Sequence, residues 1–220
     1  MFAHPLGDGA ELRPLEPWQA RELSEHIDRV REHLRPWTGL ADRLTDVDSA
    51  RRYLQEYADE QARDTGRIYG IWVDGTLSGG ALFRRFAVDD GVCELGVWIG
   101  PEVQGRGLVT RAAATLIDWA VRVRGITRIE WVTEPANVRS QAVARRLGMT
   151  LEGVQRSAFV RRGERRDAQV WALLAEEWLA RGGPAHVVGE VAGRNGGVAG
   201  SGGGVAGFRG AGGGVGGAGA

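Results

Sequence analysis

The chain has no lysine, because all 28 of its basic residues are arginine. Schiff-base enzymes and P-loop nucleotidases each need a lysine amine, so both classes are excluded. Neither sign of charge is in excess, since 28 acidic residues balance the arginines. A general nucleic-acid-binding protein carries a clear positive excess, so we expect no nucleic-acid partner.

Cysteine is nearly absent, since Cys93 is the only one. One thiol forms no disulfide framework and no multi-cysteine metal site, and we expect no bound metal. We interpret Cys93 as a small buried apolar residue, with an acyl-cysteine nucleophile as the alternative. His26 and His33 lie seven residues apart in a predicted helix, where we expect them to face solvent or to pack.

Long apolar runs are also missing. No stretch of about 18 apolar residues occurs, and the N-terminus has no signal-peptide pattern. These absences predict a cytoplasmic protein without a membrane partner.

Glycine divides the chain into two parts. Of the 35 glycines, 18 follow residue 181, where large apolar residues become rare. Such a segment cannot offset the entropy lost on ordering. We therefore predict one globular domain over residues 1–181 and a flexible Gly/Ala/Val-rich tail over 182–220.

Apolar periodicity predicts the element order β-α-α-β-β-β-α-β-α-β-β. Asp74-Gly75 is a two-residue hairpin signal. Pro14 cannot donate to a ladder, which predicts that strand 10–15 lies at a sheet edge. The other predicted strands cover residues 68–73, 77–86, 92–99, 126–133, 149–159 and 168–175. This order predicts an α/β fold, with a mixed, mostly antiparallel central sheet of six to seven strands and helices on both faces.

The most informative segment is 103–110, Val-Gln-Gly-Arg-Gly-Leu-Val-Thr, between a strand and an amphipathic helix. Gly105 and Gly107 allow the main chain to approach a ligand closely. The helix that follows offers unpaired N–H groups and the positive end of its dipole. Together these features predict an anion site suited to a pyrophosphate, to which Arg106 adds a charge.

Two alternatives remain for this segment. The first alternative to an anion site is a glycine-rich turn that only reverses the chain. The second is the dinucleotide loop of a nicotinamide-dependent oxidoreductase, because Glu130 follows the loop at about the sequence distance at which such proteins carry an acidic residue. Thr110 stands where a dinucleotide loop has its third glycine or alanine, and a hairpin meander precedes the loop. Both features disfavour the dinucleotide interpretation.

Two motifs in order resemble the GNAT acetyltransferase superfamily, and within it the RimJ/RimL branch. They are the loop that begins at Gln104 and the segment 137–153, with Asn137-Val-Arg-Ser and Arg146-Leu-Gly-Met-Thr-Leu-Glu-Gly. Similar supporting pieces are Glu94-Leu-Gly-Val-Trp-Ile, Leu34-Arg-Pro-Trp37, and Asp167 before a strand with Trp171. The resemblance covers about residues 10–179. It departs at Val109, where the family has glycine or alanine.

The resemblance implies a GNAT fold with acetyl-CoA as cosubstrate. The implied reaction is acetyl transfer to a primary amine, either a protein N-terminal α-amine or a small-molecule amine. A non-catalytic module that binds or senses acyl-CoA is the alternative. The resemblance also implies that a homodimer can form.

The resemblance further assigns roles in cofactor binding. It implies that the main chain of Val97, Trp98 and Ile99 holds the pantetheine arm. The residues whose main-chain N–H groups would hold the pyrophosphate are Gln104, Gly105, Arg106, Gly107, Leu108, Val109 and Thr110. Asn137 would bind a pantetheine amide and Arg146 the 3′-phosphate, while a helix N-cap and a solvated arginine are their respective alternatives.

The resemblance implies that Ser140 is the hydrogen-bond donor to the leaving sulfur, and Glu94 is the first choice for the base. Strand alternation puts Glu94 on one face with Gly96 and Trp98, unless a bulge in this strand shifts the count. An ordinary solvent-side glutamate is the alternative.

The acceptor is left open by the sequence. Phe159 falls where RimL-type proteins are expected to carry a carboxylate, which leaves both the base and a protein N-terminal substrate undecided. Trp37 and Arg84 are the residues predicted to contact the acceptor. Arg84, together with Arg85, could meet an acidic acceptor, and an exposed sheet edge with no such role is the alternative.

Overall fold

The computed structural model describes residues 3–185, so the predicted tail lies outside it from residue 186 onward. The strands are β1 (His4–Gly7), β2 (Ala10–Pro14), β3 (Arg67–Val73), β4 (Thr76–Ala87), β5 (Val92–Ile99), β6 (Arg128–Thr133), β7 (Thr150–Arg161) and β8 (Glu164–Leu174). The helices are α1 (Ala20–Leu34), α2 (Leu40–Arg43), α3 (Val47–Ala62), α4 (Leu108–Arg124), α5 (Val138–Arg146) and α6 (Ala175–Ala180).

These strands form one eight-stranded sheet in the order β1-β2-β3-β4-β5-β6-β8-β7. Every neighbouring pair is antiparallel except β5 and β6, which run parallel. The prediction of a mixed, mostly antiparallel sheet is confirmed, but the count of six to seven strands is one too low. The additional strand is β1, which is only four residues long and has a single buried residue, Leu6.

The edge position predicted for residues 10–15 is wrong. Strand β2 pairs with β3 on one side and with β1 on the other. Pro14 is tolerated because it is the last residue of β2, beyond Leu12, where the pairing with β1 ends. The missing proline N–H therefore removes no ladder bond to β1.

Two apolar cores lie on opposite faces of the sheet. On one face Leu116 and Ile117 of α4 pack with Phe83 and Trp131. On the other face α1, α2 and α3 pack over a second set that includes Trp98. Helices on both faces are thus confirmed.

The helix boundaries follow local chemistry. Asp46 caps α3, because its carboxylate accepts the Ser49 N–H at 2.7 Å while Ser49 Oγ accepts the Asp46 N–H at 3.0 Å. The prediction that helix α4 begins near Thr110 is two residues late, since it starts at Leu108 directly after the left-handed Gly107. The short helix α2 was not predicted, because four residues carry too little periodicity to detect.

Residues 3–185 contain no helix with both the length and the apolar character needed to cross a bilayer. In the same range, no three metal-ligating side chains come together in a cluster.

His26 lies on the buried face of α1 and has no exposed surface. Burial, with a smaller contribution from the positive charge of Arg29, lowers the pKa of His26 to about 4. The folded protein therefore holds this imidazole neutral, whereas the unfolded chain protonates it near its ordinary pKa of 6.5.

We predict that His26 makes stability fall as the pH drops from 7 to 5. Because its pKa is lower in the folded state, the stability it contributes is present above pH 6.5 and is lost on acidification. The two pKa values correspond to a loss of about 2 kcal/mol over this interval. Urea unfolding at both pH values, for the native chain and His26→Leu, measures it. An equal loss in the two proteins would contradict the prediction.

Candidate active site

The parallel strands β5 and β6 separate halfway along β5. Their pairing starts at Val92 with Arg128 and ends at Leu95 with Trp131. Beyond that point β5 continues to Ile99 and pairs only with β4. The β5 main chain from Gly96 to Ile99 therefore presents an edge free of β6, and an extended ligand can add to such an edge as a strand does.

This edge opens into a cavity of about 1060 Å³. Its walls come from the ends of α1, β5, β6 and β7, from Arg84 of β4, from the loop before α4 and from one side of α5 along its length. The predicted residues on the wall are Trp37, Arg84, Val97, Trp98, Ile99, Gln104, Gly105, Gly107, Leu108, Val109, Thr110, Asn137, Ser140 and Arg146. The structure thus brings together in one place nearly all of the predicted site.

The loop before α4 has the conformation that its glycines allow. Gly105 and Gly107 have φ angles of 80° and 72°, in the left-handed region that other residues avoid. Gly107 is the N-cap of α4 and has no side chain, so the first N–H groups of the helix are not capped from that position. Val109 is half-buried, and its side chain packs partly against the core that contains Leu116 and Ile117 of α4. Its main-chain N–H is therefore as available as that of a glycine.

The side chain of Arg106 turns away from the cavity. Its guanidinium donates to the carbonyl oxygen of Asp8 at 2.6 Å, and it is not on the cavity wall. Only the main chain of Arg106 can contribute to an anion site in this arrangement, so the charge expected from it is not placed there.

Gln104 joins α1 to α5 across the cavity. Its side chain lies 2.6 Å from the imidazole of His33 and accepts a hydrogen bond from Arg139 at 2.9 Å. Sequence reasoning gave His33 and Arg139 no role, although both line the cavity. His33 sits seven residues after the buried His26, so helical spacing could have placed it near the same face.

Ser140 and Asn137 are both held in place at the start of α5. The Trp131 indole N–H donates to Ser140 Oγ at 2.9 Å, and Asn137 Oδ1 accepts the main-chain N–H of Ser140 at 3.1 Å. Asn137 is therefore a helix N-cap, as its alternative interpretation stated. Because Ser140 Oγ accepts from Trp131, its own proton is available for a third group.

Glu94 is on the predicted face of β5 but just outside the cavity wall. Its carboxylate lies 4.0 Å from Arg84 Nε, and Arg84 itself lines the cavity. The bulge falls on β4, where Phe83 and Arg85 pair with the consecutive residues Leu95 and Glu94. Alternation along β5 is therefore unbroken.

The surroundings of Glu94 favour its neutral form. Burial raises the pKa of this carboxyl above its ordinary value, and the positive charge of Arg84 opposes the rise. The negative charge of Glu130, the residue on β6 that pairs with Glu94, raises the pKa further. A base with a raised pKa is better matched to neutral pH than an exposed glutamate.

The carboxylate that does line the cavity was not predicted. Glu134, at the end of β6, is buried and pairs with Arg161 of β7. The same Arg161 guanidinium donates to the Pro36 carbonyl oxygen at 2.8 Å, next to Trp37, and lies 5.2 Å from the Phe159 ring centroid. This bridge fixes the loop that carries Trp37 against the end of β7.

Cys93 has no exposed surface. Burial, with the negative charge of Glu130, raises the pKa of its thiol to about 12. A thiol in this state is a poor nucleophile, and its interpretation as a buried apolar residue is confirmed.

Comparison with known proteins identifies the family. Residues 10–150 match the model of the acetyltransferase (GNAT) domain. The chain therefore belongs to the GNAT acetyltransferases, which move an acetyl group from acetyl-CoA to an amine.

Relatives of known name share most of the chain. A putative ribosomal N-acetyltransferase of Bacillus subtilis, YdaF, is 28% identical over 81% of this chain and 98% of its own length. Spermidine N(1)-acetyltransferase of Escherichia coli K12 is 25% identical over 80% of this chain and 91% of its own. Mycobacterium smegmatis RimJ, solved with a CoA-disulfide, superposes with a TM-score of 0.74 at 26% identity, covering 84% of this chain and 90% of that one.

We predict that Ser140→Ala lowers the free energy of unfolding by roughly 1–3 kcal/mol, because it leaves the buried Trp131 N–H without an acceptor. Ser140→Ala should lower the free energy of unfolding by less when Trp131 is already replaced by phenylalanine, which has no N–H that needs an acceptor. A double-mutant cycle in urea separates this hydrogen bond from other effects of each substitution. Strictly additive effects would show that the bond contributes nothing.

Proposed function

We propose that this chain binds acetyl-CoA along the free edge of β5 and acetylates a primary amine by direct attack. The observation that carries the proposal is the position of that edge, which leads from Gly96 straight to the unpaired N–H groups at the start of α4. An extended arm and an anionic pyrophosphate need these two features in this order.

Acetyl-CoA would lie along the free edge of β5 in one direction only. With the pyrophosphate at residues 104–110, the pantetheine arm returns along Ile99, Trp98 and Val97 toward Gly96. Its thioester end then lies near Ser140, where β5 and β6 separate. Asn137 and Arg146 line the same cavity, and we assign Arg146 to the 3′-phosphate because no other charged partner engages it among residues 3–185.

Glu94 accepts the proton of the amine in this proposal, through a water molecule because it lies behind Arg84. The amine nitrogen then bonds to the thioester carbonyl carbon, which a main-chain N–H of β5 polarises. The C–S bond breaks, the Ser140 hydroxyl donates a hydrogen bond to the leaving thiolate, and the proton that the sulfur takes up comes from solvent. The Trp131 N–H orients that hydroxyl toward the sulfur by occupying its oxygen.

The acceptor is a protein N-terminus or a small amine, and named relatives of both kinds support the choice. Trp37 and Arg84 are the proposed acceptor contacts, and Phe159 faces the same cavity without a carboxylate. We also infer a cytoplasmic location, one catalytic domain over residues 1–181, and a homodimer. The homodimer is supported by the exposed edge strand β7, in which no residue is buried.

The reaction is tested by mixing the full chain with acetyl-CoA and a panel of amines, then measuring free thiol and the mass of each amine. Turnover of at least one amine supports the proposal. Acetyl-CoA binding without turnover of any amine would instead favour a non-catalytic sensor of acyl-CoA.

We predict that Glu94→Gln reduces kcat/KM about 100-fold, within the range typical for loss of a general base. In the native chain the rate should fall as the pH drops through the raised pKa of Glu94, because only the ionised carboxylate accepts a proton. The variant should keep only the fall in rate that comes from protonation of the amine itself, so its acidic limb should be less steep. Rate profiles over pH measure both effects.

The matched control is Glu11→Gln, another strand glutamate, on β2 and paired with Arg13 far along the sheet from the cavity. It should leave the profile unchanged. If Glu94→Gln kept full turnover at every pH, Glu94 would not be the base.

A further inference from the structure

The charged side chains on the cavity wall are mostly cations. Four arginines line the cavity, namely Arg84, Arg139, Arg146 and Arg161. The one carboxylate among the lining residues is Glu134. That carboxylate is buried and already bound by Arg161. An acceptor with a second positive charge would therefore meet no free carboxylate on this wall.

Three of these arginines divide between the two ends of the cavity. Arg139 and Arg146 belong to α5, and Arg139 binds Gln104 of the loop proposed to hold the pyrophosphate. Arg84 lies at the opposite end, over Gly96, where a methyl group on residue 96 would come within 2.8 Å of Arg84 Nε. Gly96 begins the free edge of β5, so Arg84 stands beside the position assigned to the thioester.

A specific backbone feature places Arg84 there. The bulge inserts it as an extra residue of β4 between Phe83 and Arg85. Within residues 3–185 its guanidinium makes no hydrogen bond, and its one ion pair is the 4.0 Å contact with Glu94. More than half of its side chain, 56%, is open to solvent. A planar guanidinium with free donors binds carboxylates by paired hydrogen bonds.

We propose that the acceptor carries a carboxylate within a few bonds of its amine, and that Arg84 binds this carboxylate while the amine faces the thioester. The inference rests on the function proposed above and narrows its substrate class. The acceptor is then an amino acid, or a peptide with an acidic residue at its N-terminus, rather than a polyamine. Binding of the carboxylate also replaces the long contact between Arg84 and Glu94, which frees Glu94 for the proton.

The test compares acceptors matched in shape but not in charge. Glutamate is paired with glutamine amide, and an Asp-initiated tetrapeptide is paired with its Asn-initiated counterpart. Spermidine, a polyamine without a carboxylate, is the cationic probe. Assays run at a pH above the acidic limb of each protein, so that a changed pKa of Glu94 does not alter the rate. The native chain should prefer the acidic member of a pair by about tenfold or more in kcat/KM.

Arg84→Gln should abolish this preference, mainly through a higher KM for the acidic acceptor. Arg85→Gln is the matched control, because the neighbouring Arg85 pairs with the exposed Asp90 and does not line the cavity. It should keep the native preference. Since Arg84 is exposed, we expect equal melting temperatures for all three proteins.

The outcomes are distinct. A preference for the free amino acid or for the peptide supports the proposal and says which source supplies the carboxylate. If spermidine or the neutral members react as well as the acidic ones, or if Arg84→Gln keeps the preference, this inference is overturned while acetyl transfer stands. Absence of turnover with every amine would overturn both.

Discussion

The site depends on the hydrogen bond between the Trp131 indole and Ser140. Trp131 is the last residue of β6 to pair with β5, and through its indole it is bonded to α5. This contact holds the start of α5 beside β6, at the point where β6 leaves β5. The rest of β5 keeps an unpaired edge, and an edge of unpaired main chain is what an extended cofactor arm requires.

The remaining features are arranged around that separation. The loop with Gly105 and Gly107 presents uncapped N–H groups where the free edge ends, and the β4 bulge places Arg84 where it begins. The Glu134–Arg161 bridge closes the far wall by holding the loop of Trp37. The two ends of the cavity are thus defined by backbone geometry first and by side-chain charge second.

Sequence reasoning predicted the fold and most of the residues that line the cavity, because those parts are governed by local patterns. The Asp74-Gly75 hairpin and the glycine loop each depend on neighbouring residues alone. The edge position of residues 10–15 was wrong because pairing with β1 is a tertiary choice that Pro14, at the strand end, does not oppose. Glu134 and Arg161 were missed since 27 residues separate them and only the fold brings them together. The side-chain direction of Arg106 likewise depends on a distant partner, Asp8.

Hydrogen exchange of the full chain, with and without acetyl-CoA, tests the central claim most directly. The amides of residues 96–99 and 104–110 should become protected on binding, because they would pair with the arm and the pyrophosphate, while those of β2 and β3 should not change. Protection confined to other segments, or no binding at millimolar acetyl-CoA, would contradict this account.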